Sequence, residues 1–416
     1  MTFIKNLSIT SAVLISLAAV LYTPLKHRVE VLGISRPLEK IVNIHGDGLE
    51  VVPDTLYTED LHYHQPSGLL FGASEEKPEG RWNWFPPIAK FNTTHSTDHG
   101  TIVVINPSTK TTTRLHLHNF PHPFITHGID IHTSPTEPST VLIYAINHLA
   151  NPAYVASNGT LGPAARSQIE IFSHTLGTDS ATHLRSIYDP LIRTPNDIYA
   201  IDDKNLYVTN DHYYRSGALR LAEDIGFDAT PWSDVVHISL STLSSSSATD
   251  NVLATVALSG IQNPNGLGHA APRTNTVLIN RAAAGIMELA HPSPSSPNKL
   301  QINSTLRYQM PCTVDNPSYY TDPYAKITGR DDSGYVLPGL LRAAKFPSER
   351  DPVVVWFVQR DGKRRVLFQD DGRGISSVST AVLVGIDPKE NGGRKQAWLY
   401  VMGPVSVNAV RVKVEL

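Results

Sequence analysis

The chain has a single cysteine, Cys312, in 416 residues, so no intramolecular disulfide can close it and any ring-like fold must seal by strand pairing and packing. A buried, inert thiol is the simplest use of such a residue. Charge is scarce as well: 18% of side chains are charged, 35 basic against 38 acidic, spread along the chain rather than blocked. That composition excludes disorder and supplies neither a nucleic-acid footprint nor a polyacidic tail, leaving a small molecule or a surface as partner. Long amphipathic helical patterns are absent beyond the N-terminus.

There, Lys5 precedes the mostly apolar stretch Leu7 to Tyr22, and Lys26, His27 and Arg28 follow it. The pattern is that of a signal peptide or signal anchor, which would tether the protein to a membrane if retained. Its 16 residues fall just short of the ~17 to 25 that span a bilayer. No small-x-small cleavage site follows, and the basic residues after the run fit poorly with a lumenal C-terminal part. Asn-x-Ser/Thr triplets at Asn6, Asn92, Asn158 and Asn303 accord with glycosylation in the secretory pathway. Residues 1–37 are expected to be this segment with its lead-in, and residues 38–416 one domain, secreted or membrane-anchored and facing the lumen or the exterior.

Twenty-seven glycines and 30 prolines punctuate short runs such as Thr101–Ile105 and Val353–Phe357, the signature of many strands joined by tight turns. Hairpin-like pairs recur, among them Thr101–Ile105 with Thr113–His118, Val141–Asn147 with Gln168–Phe172, and Ile198–Ile201 with Leu206–Asn210. A polar signature opens successive strand groups at Glu59-Asp60, His127-Gly128-Ile129-Asp130, Asn196-Asp197, Asn265-Gly266 and Asp315-Asn316. From Asp60 to His127, Asn196, Asn265 and Asn316 the steps are 67, 69, 69 and 51 residues. A four-stranded propeller blade needs about 40 to 50 residues or more. One signature per blade gives an all-β, six-bladed β-propeller, preceded by the N-terminal hydrophobic helix.

In a propeller the innermost strand of each blade starts at the central channel, so residues remote in sequence meet there. Glu59, Asp60, Asn196, Asp197, Asn265, Asp315 and Asn316 would then form a thiol-free set of carboxylate and amide oxygens. That donor chemistry suits a hard cation such as calcium, which takes about 6 to 8 oxygens, better than zinc. Each Asn-Asp or Asn-Gly pair taken alone reads equally as a turn.

Thr58-Glu59-Asp60-Leu61, Thr126-His127-Gly128-Ile129, Ile146-Asn147-His148, Pro195-Asn196-Asp197-Ile198, Thr209-Asn210-Asp211-His212-Tyr213, Asn265-Gly266 and Val314-Asp315-Asn316 resemble, in order, the motifs of the serum paraoxonase/arylesterase family. The resemblance covers about residues 38–416 and is strongest from 57 to 320. It implies a calcium-dependent hydrolase of lactones and aryl esters with two calcium ions in the tunnel. The catalytic ion would be held by Glu59, Asn196, Asn265, Asp315 and Asn316, and the structural ion by Asp60, Asp197 and the backbone carbonyl of Ile129. His127 would activate water, with His148 orienting or relaying, and Asp211 and His212 are either supports or a strand end.

The chain also departs from the family. The animal enzymes join their terminal strands by a disulfide, which one cysteine cannot form. The family's Cys-His-Pro-Asn-Gly stretch gives way to Thr328–Gly334, so one wall of the substrate pocket is expected to differ. Ser74–Gly100 is longer and carries Trp82, Trp84, Phe85, Pro86 and Pro87, an aromatic flap over the tunnel or a patch packed on the propeller. Two other readings fit the same residues: a gluconolactonase-like sugar lactonase, and a non-catalytic calcium-stabilised propeller used for binding.

Overall fold

In the computed structural model, residues 22–416 are described, except Asp47, His122, Arg273 and Glu349. The apolar stretch expected as a signal or anchor lies outside the described residues apart from Tyr22. Among the described residues no helix is long and apolar enough to cross a membrane.

The β-rich sequence resolves into six antiparallel sheets whose inner strands contact one another in a closed ring, a six-bladed β-propeller. Blade 1 runs from Leu61–His64 outward to Thr111–Arg114, and blade 2 from Thr126–His132 to Ser180–Ile187, with His116–His118 added in parallel at its outer edge. Blades 3, 4 and 5 begin on Pro195–Ala200, Pro264–His269 and Ser318–Tyr320. Blade 6 takes Thr380–Gly385, Gln396–Met402 and Ala409–Glu415, and its outermost strand is Leu49–Val52 from the start of the domain. Two of the hairpins read from sequence are present as read; in the first, Thr101–Asn106 pairs with Thr111–Arg114 only, since His116–His118 joins blade 2.

Alternation along each strand sends apolar side chains toward the neighbouring blades, and the core divides accordingly into inter-blade clusters. Phe71, Ile102, Phe124 and Ile143 lie between blades 1 and 2, and Ile169, Ile198, Leu206 and Val236 between blades 2 and 3. Val355, Phe357, Leu399 and Val412 fill the gap between blades 5 and 6. Cys312 is fully buried between blades 4 and 5, where desolvation pushes its thiol up to about 11, as expected of an inert core cysteine. Toward the axis, glycine allows the inner strands to close up. A Cβ on Gly128 would stand 2.3 Å from the Asn196 carbonyl oxygen, and one on Gly266 would stand 2.5 Å from Asn316 Cα.

The ring closes where Leu49–Val52 pairs with Val412–Ala409, residue for residue. Arg411 adds an ion pair to Glu50 at 2.6 Å, but that carboxylate is 45% exposed, so screening limits its contribution to less than about 1 kcal/mol. Backbone pairing of this strand, with Val52 and Val412 buried behind it, therefore closes the ring without a disulfide. Residues 22–31 are helical, and the lead-in lies against the upper face: Arg36 donates to the carbonyls of Leu341 and Pro311, both at 2.8 Å. Val412→Asp, which puts a carboxylate into the blade 5/6 core, is expected to cost about 3 kcal/mol or more. Glu50→Ala should cost under about 1 kcal/mol. Urea unfolding of both variants checks the order; a larger loss from Glu50→Ala would make the ion pair the true closure.

Candidate functional site

The starts of the inner strands define the upper face of the tunnel. Glu59, Asn196, Asn265, Asp315 and Asn316 converge there from blades 1, 3, 4 and 5. One oxygen of each, Glu59 Oε2, Asn196 Oδ1, Asn265 Oδ1, Asp315 Oδ1 and Asn316 Oδ1, is buried and receives no hydrogen bond. Orphaned buried acceptors are costly, and five of them in one place are explained if all face the same cation. The surroundings hold them in position: Asn316 Nδ2 donates to Glu59 Oε1 at 3.1 Å, Ser379 donates to the Glu59 carbonyl, and Asn280 donates to the Asp315 carbonyl. This all-oxygen set fits calcium.

Asp60 and Asp197 lie below, and their environment is different. Asp60 accepts from the backbone N–H of Leu61 (2.8 Å) and of Ile129 (3.2 Å), and Asp197 from Ile198 and Leu267, both at 2.7 Å. No oxygen of either is orphaned. Glu59 lies with Asn316 and Asp60 with Asp197, and both precede the strand, which starts at Leu61, so strand alternation does not govern them. At Ile129 the N–H is directed at Asp60, and the backbone is also within hydrogen-bonding reach of the His62 imidazole.

His127 and His148 stand beside the upper set. His127 Nδ1 and His148 Nε2 are 3.1 Å apart, His148 Nδ1 is 2.8 Å from Ser167 Oγ, and His127 Nε2 lies 3.9 Å from Glu59 Oε1. Burial first, and the Arg81 guanidinium second, lower His127 to about 3 against the upward pull of Asp211 and the Pro195 carbonyl. Burial and then the facing His127 hold His148 well below the usual range. The pair is neutral at physiological pH. Asp211 lines the site and forms an ion pair with His212 at 3.0 Å, which also reaches Asp224 at 2.7 Å. Asp211 directly follows the strand Asn205–Asn210 and acts on His127 through its charge, whereas His212 is bound to Asp211 and Asp224.

The segment Ser74–Gly100 does both things read into it. Trp84 and Phe85 are fully buried; Trp84 Nε1 donates to the His148 carbonyl at 2.7 Å, and Phe85 meets His127 and His148 edge-on at 5.1 and 5.8 Å. Pro87, Ile88 and Ala89 line the cavity mouth. Buried Arg81 anchors the segment, pairing with Glu75 at 2.9 Å, donating to the Thr126 carbonyl at 2.9 Å and lying over the Phe85 ring. Sequence reading singled out the aromatic insertion but not Arg81 or Ser167, because nothing local marks which surface residue folds inward.

A cavity of about 620 Å3 opens above the site, its walls largely apolar: Ile34, Phe85, Leu221, Ile225, Leu340 and Phe346 among them. The expectation that Thr328–Gly334 changes a pocket wall is not met. That segment precedes the second strand of blade 5, and such turns fall at the opposite end of the propeller from the inner-strand starts. Its Asp332 is held by Lys395 at 2.8 Å instead.

Glu59, Asp197 and Asp315 are pushed well above the usual carboxylate range, by burial first and then by the neighbouring acids. A raised folded-state pKa stabilises the fold below the unfolded value, and this contribution is lost as pH rises through the folded value. In excess chelator the melting temperature should therefore fall as pH rises above the ordinary carboxylate range, and saturating calcium should abolish or reverse that slope. Melting curves over that rise in pH decide it; identical slopes with and without calcium would mean that no cation neutralises the cluster.

The Arylesterase family model matches residues 85–262, which carry His127, His148, Asn196 and Asp197. Serum paraoxonase/arylesterase 1 of Mus musculus is 33% identical over 116 residues, and serum paraoxonase/arylesterase 2 of Gallus gallus 28% over 116, in each case 28% of either chain. Serum paraoxonase/lactonase 3 of Rattus norvegicus is 33% identical over 99 residues, 24% of this chain and 23% of its own. The match thus spans about a quarter of the length of these relatives. Among solved structures, a luciferin-regenerating enzyme aligns over 90% of this chain and 96% of its own at 12% identity and a TM-score of 0.47. A putative gluconolactonase aligns over 92% and 99% at 11% identity and a TM-score of 0.39. Over these spans the chain is similar to the serum paraoxonase/arylesterase family.

Proposed function

We propose that this protein is a calcium-dependent hydrolase of lactones and aryl esters, its reaction centred on the upper cluster of the propeller tunnel. One observation carries the reading: five orphaned oxygens from four blades converge beside a neutral histidine pair at the base of an apolar cavity. Glu59, Asn196, Asn265, Asp315 and Asn316 would hold the ion. When bound, calcium supplies polarisation of the ester carbonyl and stabilisation of the negative charge that develops on its oxygen.

The remaining work falls to the protein's own groups. With Nδ1–H of His127 donated to His148 Nε2, the lone pair of His127 Nε2 is available on the side facing Glu59 to take a proton from the attacking water. His148 shares the resulting charge and in turn donates through Nδ1 to Ser167 Oγ. His127 is a weak base, so the protonated state is brief, and the Asp211 carboxylate, held at about 2 by its ion pair with His212 despite burial, offsets part of its charge. Trp84 and Phe85 cover the pair and exclude bulk water. The apolar walls favour an alkyl or aryl substituent over the polyhydroxylated ring of a sugar lactone. The N-terminal apolar segment and the sequons, of which Asn92 and Asn158 are exposed, support a secretory route.

Chelation is expected to abolish turnover of simple lactones and phenyl esters and to lower the melting temperature in parallel, calcium restoring both. A protein equally active in excess chelator would refute the calcium-dependent reading. His127→Gln should reduce turnover by about 10²-fold or more with calcium affinity and melting temperature nearly unchanged. Unaltered turnover across a pH profile would return His127 to a packing role.

A further inference from the structure

The lower cluster differs from the upper one in a way that bears on which metal it holds. Ligand atoms of Asp60, His62 and Asp197 all lie within 4.8 Å of one another, and the Asp carboxylates are fully buried. We infer that this cluster binds a divalent metal of the zinc or manganese class, with the imidazole of His62 as a ligand, rather than a second calcium. The inference is independent of the ester-hydrolase reading, because the lower cluster takes no part in the proposed reaction.

The donor set is the first argument. Calcium takes oxygen almost exclusively, whereas two carboxylates and an imidazole form the mixed nitrogen–oxygen set that borderline divalent metals prefer. His62 lies two residues after Asp60 in an extended segment, so both side chains fall on the same side, and Nε2 stands 3.0 Å from Asp60 Oδ2.

The surroundings of the imidazole are the second argument. His62 Nδ1 lies 3.1 Å from Asp130 Oδ1. Asp130 is itself fixed by His269 Nε2 at 2.7 Å, by the Ala200 N–H at 2.7 Å and by the Ile131 N–H at 2.7 Å. Both ring nitrogens thus face a carboxylate; the one on the far nitrogen keeps its proton there, and a metal that displaces the Nε2 proton takes up that nitrogen's lone pair. Backbone N–H groups of Leu61, Ile129, Ile198 and Leu267 orient the carboxylates of Asp60 and Asp197 in the same manner, and carboxylate oxygens retain acceptor capacity beyond one such bond. A route to solvent exists: a second cavity, of about 610 Å3, opens at the lower face and is lined by Asp60, His62, Asp130 and His269.

The test is metal content. The full purified chain is stripped with chelator, dialysed against equal concentrations of calcium, zinc and manganese, and analysed by plasma mass spectrometry. Co2+ loading followed by visible absorption reports nitrogen ligation independently. One calcium with one zinc or manganese per chain is expected. His62→Gln should lose the second metal and the cobalt spectrum while keeping calcium. Should that variant fail to fold, Asp130→Asn leaves every ligand in place and should weaken the second metal by about 10- to 100-fold without affecting calcium. Two calcium ions per chain with no zinc or manganese would overturn the proposal. So would calcium alone at one per chain, in which case His62 is itself the cation between Asp60 and Asp130. Loss of ester hydrolysis with both metals present would count against the hydrolase reading only.

Discussion

The tunnel axis is organised around buried negative charge. Blades 1, 3 and 5 bring Glu59, Asp60, Asp197 and Asp315 into one narrow channel, and burial combined with mutual repulsion raises Glu59, Asp197 and Asp315. Packing alone does not stabilise such an arrangement, because isolated carboxylates removed from water either neutralise or find a cation. Each upper residue leaves one buried oxygen without a donor, and the lower ones are bound by backbone N–H groups and faced by an imidazole. A propeller can gather this much charge because its inner strands are held apart from the axis by six separate inter-blade cores.

Those cores also explain how the ring holds without a covalent staple. The stabilisation is distributed over six interfaces of aliphatic and aromatic side chains, and the last is sealed by a strand from the beginning of the domain. Hydrogen bonds cross from blade to blade at the axis as well. Asp60 accepts from Ile129, Asp130 from Ala200 and Asp197 from Leu267, so each of three consecutive blades grips the next. The acidic residues therefore serve the fold and the site together.

Above the axis, the histidine pair is shielded from solvent. Phe85 and Trp84 press on the histidine pair, and Arg81 holds their segment through Glu75 and Thr126 at the start of the strand that carries His127. The residue that positions the flap thus also lowers the basicity of His127. Neutral imidazoles in a dry, apolar surround suit a reaction in which charge develops only transiently.

Much of this was legible in the sequence. Alternation and turn residues gave the strands, the spacing of the polar signatures gave the blades, and the oxygen-rich chemistry of those signatures pointed to a hard cation. Their legibility has a physical basis: each signature is confined to two to four adjacent residues whose strand start must face the axis, so local pattern and global position coincide. Tertiary structure alone decided which residues from elsewhere join them. Arg81 and Phe85 arrive from an insertion, Ser167 from a neighbouring strand, and His269 reaches Asp130 across 139 positions. His62 could have been placed beside Asp60 by its two-residue spacing. Its partnership with Asp130, and hence the direction of its lone pair, could not, because that depends on how closely blades 1 and 2 approach, a distance set by side-chain packing between sheets and not by any local run of residues.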